Sequence, residues 1–350
     1  MTGGTAEAAP ATRRVFFGAY TTWSGGAKGI GVGTYDTATG QLAQTGVIAG
    51  VVNPSFVVES RDGRFLYAVN ENSQGEVTAI DAATLKVINK QATGGADPCH
   101  LTLDPSGKFL ITADYSSGSL SVFGVNTDGS LGARTQKVQH KGSGPDRDRQ
   151  AGPHAHHVVF DPAGKYAAAV DLGADSVFFY SFTGRLQLVS TAKLAPGAGP
   201  RHIAFHPNGR TAYVANELDS TIVACAYADG KLTPGQVLKT APPATERNYP
   251  AEVLVSADGK FVYLSNRGHD SVAQFAVDGA GLTLVGTTPV GGKYPRHVVF
   301  DPTGSFLFAA NQNSSLVTSF AVDRSTGRLT PSGTPLKTEI PVCVLPTRLG

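Results

Sequence analysis

Apolar positions along this chain fall in short runs, not in helical stripes. A proline-led apolar run is followed by a turn of the D-P-x-G-K kind, a second apolar run, and a polar loop that often starts with Asn. The pattern begins at Pro54 (PSFVVESRDGRFLYAVNEN). It returns at Pro98 (PCHLTLDPSGKFLITADYSSGS), at His156 (HHVVFDPAGKYAAAVDLGADS), and again at Pro200, Pro250 and Pro295. Short runs bounded by Gly, Pro, Asp and Asn read as β-strands. The turns read as hairpin connections, because Gly and Asp tolerate the positive φ such turns need. A third apolar run, such as SLSVFGV, and a weaker fourth complete each unit.

The turn glycines are Gly63, Gly107, Gly164, Gly209, Gly259 and Gly304, spaced by 44, 57, 45, 50 and 45 residues. A period near 45 with four strands per unit is the signature of a propeller. Six full units leave both chain ends over. RVFFGAYTT matches a second strand with the start of its loop, and IPVCVLP matches a proline-led first strand. The predicted fold is therefore all-β, a seven-bladed β-propeller closed by N- and C-terminal strands that share one blade. Closure of this kind removes the open sheet edge. Residues 15–350 are expected to form this one domain, preceded by a flexible tail over 1–14. The longest irregular insert, 139–153 (QHKGSGPDRDRQAGP), contains no apolar anchor and is expected to be a long exposed loop on the rim.

Composition narrows the function classes. Of 350 residues only 16% are charged, and the formal net charge is +2. This excludes a polybasic footprint for nucleic acid or an anionic membrane. No apolar run is long enough for a membrane span. Cys99, Cys225 and Cys343 are far apart and odd in number, so they read as core residues and not as a disulfide framework. The first fourteen residues lack the apolar stretch of a secretory leader. That favours the cytoplasm, with secretion open if a leader has been removed. A single chain working alone is expected.

Propeller topology then decides which polar residues meet. The chain enters each inner strand on one face, turns at D-P-x-G-K on the other, and returns. Residues at the start of inner strands therefore share a face with the loops after the second strands. The first inner position holds Ser55, Cys99, His156, Arg201, Ala251, Arg296 and Val342 in turn. The second holds Phe56, His100, His157, His202, Glu252, His297 and Cys343. The loops add Tyr20, Asn70-Glu71, Asp114-Tyr115, Asp171, Asn216-Glu217 and Asn266-Arg267. All should ring one channel mouth. Histidine recurs at the second position, so His100, His157 and His297 read as structural. Asp104, Asp161 and Asp301, with Pro105, Pro162 and Pro302, belong to the opposite turns and read as structural too. The irregular members are the candidates for chemistry: His154, His156, Arg201, Glu217, Glu252 and Arg267.

Guanidinium groups at such a mouth favour an anionic ligand and stabilise a developing oxyanion. A nearby imidazole or carboxylate can move protons. No G-x-S-x-G elbow, H-E-x-x-H or P-loop is present. The H-x-H spacing of His154 and His156 is too weak alone for a metal site, so no metal or other cofactor is expected.

The runs GPHAHHVVFDPAGKY, GPRHIAFHPNGRTAYVANEL, PAEVLVSADGKFVYLSNRGHDSVAQF and YPRHVVFDPTGSFLFAANQNSSLVTSF resemble the seven-bladed propeller lactonases. That family includes propeller-type 6-phosphogluconolactonases and carboxy-muconate lactonizing enzymes. The resemblance runs from Val15 to the end of the chain. It implies lactone chemistry, with catalysis by a histidine of the H-x-H segment (His154 or His156), Arg201, Glu217 and Arg267. His202, Glu252, Arg296, His297 and Tyr20 are the expected substrate-binding residues. The expected activity is hydrolysis of a small anionic sugar lactone of the 6-phosphogluconolactone type. Glu217 or an imidazole would activate water, Arg201 would hold the oxyanion, and Arg267 with Arg296 would hold the anion. A muconate-type lactonization of a carboxylate and a non-catalytic binding platform are the two alternatives. Fold alone does not choose among them.

Overall fold

The computed structural model describes residues 12–242 and 247–348. Seven four-stranded antiparallel sheets are arranged as blades, each in simple up-and-down order. Among the described residues the one helical element is a 3₁₀ turn, Gln312–Ser314. Blades 1 to 6 cover residues 57–92, 98–139, 155–193, 200–239, 249–289 and 295–337. The seventh takes its inner strand, Pro341–Pro346, from the C-terminus and its other three from Thr12–Ala19, Gly29–Asp36 and Leu42–Ala49. Closure is made by pairing Phe17 with Val344 and Gly18 with Cys343. The expected shared blade is present.

Two boundaries differ from expectation. The first strand starts at Thr12, with Thr12, Arg13 and Arg14 paired to Asp36, Tyr35 and Thr34. The ladder thus takes in the last three residues assigned to a tail, while residues 1–11 lie outside the described residues. The insert 139–153 is also not simply exposed. His140 and Gln150 are buried, and the polar bonds that hold the insert are described with the site below. Among the described residues no helix is long and apolar enough to cross a membrane.

The core lies between blades. Ala168, Val170 and Phe179 of blade 3 pack on Val214, Val223 and Cys225 of blade 4. Tyr213, Ile222 and Ala224 of blade 4 pack on Val262, Leu264 and Phe275 of blade 5. Second and third strands are apolar on both faces because each face meets a neighbouring blade. The three cysteines are buried and unpaired.

The turn face is uniform. Asp104 accepts the Phe109 N–H, and its other oxygen takes the N–H and hydroxyl of Ser106. Asp161 and Asp301 do the same work in their blades, holding the N–H groups of Tyr166 and Phe306. Gly107 and Gly164 sit at φ 72° and 68°, a conformation that costs a side-chain-bearing residue strain.

Candidate functional site

The mouth face is built on a β-bulge. In six of the seven blades the register between inner and second strand slips by one residue at the strand start. Pro200 faces Asn216 and His202 faces Ala215, so Arg201 is the extra residue. Pro295 faces Asn311 and His297 faces Ala310, so Arg296 is the extra residue. His156 and Cys99 hold the same place. Alternation would send neighbouring side chains to opposite sides. The bulge re-aims one of them, and the adjacent residues Arg201–His202 and Arg296–His297 line one narrow cavity of about 10 Å³ with Ser55 and Glu252.

Inner strands are also sheet edges. Their outward N–H groups need partners in a channel too narrow for free solvent. Three histidines supply them. His100 Nδ1 accepts the Val158 N–H at 3.5 Å, His157 Nδ1 accepts Ile203 N–H at 3.4 Å, and His297 Nδ1 accepts Val344 N–H at 3.3 Å. Each bond ties one blade to the next, as expected for structural residues. His202 differs. Its Nδ1 lies 3.0 Å from Glu252 Oε1, and the same oxygen accepts the Val253 N–H that a fourth staple would have taken.

Glu217 is the centre of the charged cluster. Its Oε1 accepts Arg149 Nη2–H at 2.6 Å, and its Oε2 accepts Arg267 Nη2–H at 2.6 Å, with Arg201 Nε at 3.3 Å. Burial opposes its charge, but Arg267, Arg201 and Arg149 together outweigh burial and hold the carboxyl down at about 2. Arg267 is committed on several sides. Its Nε donates to Tyr249 O, Nη2 also reaches Pro250 O, and the guanidinium lies over the Tyr294 ring.

Arg201 is the opposite case. It is 2% exposed, and its Nε and Nη1 have no hydrogen-bond partner among the described residues. Burial, then the charges of Arg267 and Arg296, lower its pKa to about 9, which leaves it a cation at neutral pH. Across the mouth, Arg296 Nη2 sits 3.6 Å from Glu71 Oε2 and its guanidinium 5.6 Å from the Tyr20 ring. Tyr20 donates its hydroxyl to Glu71 Oε1 at 2.9 Å and stacks on Trp23. Four guanidinium groups thus share the mouth with the carboxylates Glu71 and Glu217, which they pair, and with Glu252, which pairs His202, an excess of one positive charge.

Of the two H-x-H registers, His156 is the one set among the arginines. It is buried, edge-on to Tyr115 and His202. Burial first, then Arg201, hold it well below the usual imidazole range, so it is neutral at pH 7. His154 precedes the strand, stacks on Tyr115, and donates Nδ1–H to the Tyr115 carbonyl at 3.0 Å.

Arg149, Tyr115 and Glu71 were not singled out by sequence reasoning. Arg149 comes from the insert, whose ends are fixed on one carboxylate. Asp171 Oδ2 pairs with His140 Nδ1 at 2.7 Å, and Asp171 Oδ1 accepts the His154 N–H at 2.8 Å. Gln150 adds bonds to Leu172 O and Asp175. So tethered, the insert sends Arg149 across to Glu217, with the Tyr115 hydroxyl bonded on the way. The signal for Glu71 was present: it follows Asn70 as Glu217 follows Asn216.

Wider clefts lie on the turn face. One of about 350 Å³ runs between Asp258 and Arg324. Its charged groups are already bonded within turns, Asp258 to Ser256 and Lys260, Asp301 to Phe306, and Arg324 to Thr303. It offers no convergent free cation, and the mouth does. Among the described residues no group of three or more His, Cys, Asp or Glu side chains is arranged to hold a metal ion.

Comparison with known proteins agrees with this architecture. A family model described as lactonase, 7-bladed beta-propeller, matches residues 14–346. A 6-phosphogluconolactonase of Bacillus subtilis is 38% identical over 272 residues, covering 75% of this chain and 77% of that protein. A 6-phosphogluconolactonase of Formosa agariphila is 33% identical, covering 80% of this chain and 84% of its own. The solved structure of a periplasmic gluconolactonase from Pseudomonas aeruginosa superposes with a TM-score of 0.88 at 32% identity, over 95% of this chain and 98% of that one.

Proposed function

The chain belongs to the seven-bladed β-propeller lactonase family, and from that premise we propose that it hydrolyses the ester bond of an anionic sugar lactone of the 6-phosphogluconolactone type at the channel mouth. The observation that carries the reading is Arg201: a buried cation with two unbonded N–H-bearing nitrogens. Such a group is unfavourable at rest and gains its partners when an oxyanion forms beside it.

The roles follow from what each group is free to do. Water attacks the lactone carbonyl carbon. The neutral His156 ring takes the proton, and the tetrahedral oxyanion faces Arg201. Collapse breaks the ring C–O bond, and His156 returns the proton to the leaving alkoxide, which gives the open hydroxy acid. Glu217 is too acidic to serve as base. It positions Arg201, Arg267 and Arg149 instead. Arg296, braced by Glu71 and Tyr20, holds the phosphate or carboxylate of the substrate. Arg267 is anchored to Tyr249 O through Nε and to Glu217 through Nη2, and we assign it to positioning Glu217.

Arrival of an anion has a further effect. It offsets the positive charges that depress His156, so the base titrates higher in the complex than in the free enzyme. Activity falls as pH drops through the pKa of the base, so the acid limb of kcat should lie at higher pH than that of kcat/KM.

The test is acid release from fresh 6-phosphogluconolactone and from unphosphorylated gluconolactone, with the spontaneous rates subtracted. Acceleration that is lost in His156→Phe is expected, with the phosphorylated lactone preferred. A His156→Phe variant as fast as the wild type would remove the assigned base.

A further inference from the structure

The buried wall beside Arg201 contains two imidazoles whose free nitrogens are unexplained by packing. His202 Nε2 and His156 Nδ1 are both buried and have no hydrogen-bond partner among the described residues, and the two rings lie 5.2 Å apart at 61°. Buried polar atoms are normally satisfied, so a pair of orphans on facing rings calls for an explanation. The tautomers supply one. Glu252 Oε1 also accepts the Val253 N–H, so it is the acceptor toward His202, and Nδ1 of His202 carries the hydrogen. Its Nε2 is then a lone pair. The three staple histidines have the reverse arrangement: their Nδ1 atoms accept backbone N–H groups, so their hydrogens sit on Nε2.

We propose that Glu252, His202 and His156, on the inner strands of blades 5, 4 and 3, form a relay in which Glu252 orients His202 and His202 accepts, through one water, the Nδ1–H of His156. The relay rests on His156 being the base of the lactonase reading. It fixes the His156 tautomer that leaves Nε2 as the lone pair facing the attacking water. When that water gives its proton to Nε2, the imidazolium on His156 is stabilised by the His202 lone pair and, behind it, by the Glu252 carboxylate. No net proton leaves His156 through the relay. The same proton returns to the leaving alkoxide. Glu252 and His202 are thus positioning residues, in the way a buried carboxylate orients a catalytic histidine, with one more imidazole between.

The surroundings make this support necessary. Burial first, then Arg201, a charged His202, Arg296 and Arg267 disfavour protonation of His156, so His202 can support the imidazolium only as a neutral lone-pair acceptor. His157, Arg201, His297 and Arg296 do the same to His202, and the His100 ring lies edge-on to it. Glu252 is the carboxylate bonded to His202. Its second oxygen, 3.5 Å from His297 Nε2, has no hydrogen-bond partner among the described residues.

Histidine side-chain ¹⁵N NMR of the full chain tests the relay without any substrate. The expected spectrum shows His202 and His156 as Nδ1–H tautomers, with His100, His157 and His297 as Nε2–H. In Glu252→Gln the His156 preference is lost. His202 or His156 found as the Nε2–H tautomer in the wild type overturns the relay, even if no variant folds. Kinetics give the second arm. Glu252→Gln should lower kcat roughly 10- to 100-fold with KM little changed, move the acid limb of kcat to lower pH, and be partly rescued by Glu252→Asp. His100→Gln should keep the wild-type kcat and pH profile. If Arg201→Met abolishes turnover while Glu252→Gln keeps the wild-type kcat and profile, the relay fails and the lactonase reading stands. If the wild type hydrolyses no lactone, that reading fails, and the tautomers still decide the relay.

Discussion

On the turn face, Asp104, Asp161 and Asp301 each close their own hairpin, with partners within five residues in sequence for the bonds to backbone. On the mouth face, Glu217 is bonded to Arg149 from 68 residues before it and Arg267 from 50 residues after it. The first face repeats and satisfies its charges mainly within each turn, with the Tyr227 hydroxyl added on Asp161. The second breaks the repeat and satisfies its charges across blades, leaving Arg201 unsatisfied. In a repeat fold the copies keep the ring closed, so departures from the copy are where chemistry has room. The same residue type therefore has different meanings on the two faces, and even on one face: His100, His157 and His297 are staples, and His202 is not.

Substitutions that treat the faces alike would break this contrast. The largest effect is expected from Glu217→Gln. It removes the shared anion from three guanidinium groups, two of them buried, so urea unfolding should show a loss of about 3–5 kcal/mol, and lactone turnover should vanish with it. Arg201→Met should separate the two properties. Turnover should fall roughly 10²–10³-fold, as for loss of an oxyanion donor, while the fold should hold, because Glu217 keeps its two 2.6 Å bonds to Arg149 and Arg267. Asp161→Ala should do the reverse. It leaves the Tyr166 and Lys165 N–H groups and the Tyr227 hydroxyl without their acceptor, so about 2 kcal/mol of stability should be lost with kcat intact.

Arg149→Ala is the finest probe. The folded pKa of Glu217 is depressed, so the stability its charge contributes is present above the unfolded value near 4.5 and is lost as pH falls toward about 2. Without Arg149 the folded pKa rises, so the acid-unfolding midpoint should move to higher pH. Turnover should drop modestly, on the order of tenfold or less.

Much of this was legible in the sequence because it repeats. The D-P-x-G-K turns, the blade shared between RVFFGAYTT and IPVCVLP, and the ring of first- and second-position residues followed from aligning the units. What could not be read depends on register and reach. The bulge that turns Arg201 and His202 to one cavity is a slip between two strands, and neither strand's composition records it. The insert has no apolar anchor, so its burial on His140, Gln150 and Asp171 was hidden, and with it the reach of Arg149. Thr12–Arg14 carry no apolar signal, and they join the sheet by backbone pairing and by side-chain bonds from Arg13 to Arg348 O and Arg14 to Ala82 O. His202 looks like the other second-position histidines until Glu252, one blade away, is placed against it.

The most direct measurement is acid release from 6-phosphogluconolactone by the wild type and by Arg201→Met at equal folded concentration, with the spontaneous rate subtracted. A wild-type rate above background that falls at least 100-fold in a variant that remains folded is the predicted result. Equal rates in the two proteins, or none above background in the wild type, would contradict the assignment of the mouth as a lactonase site.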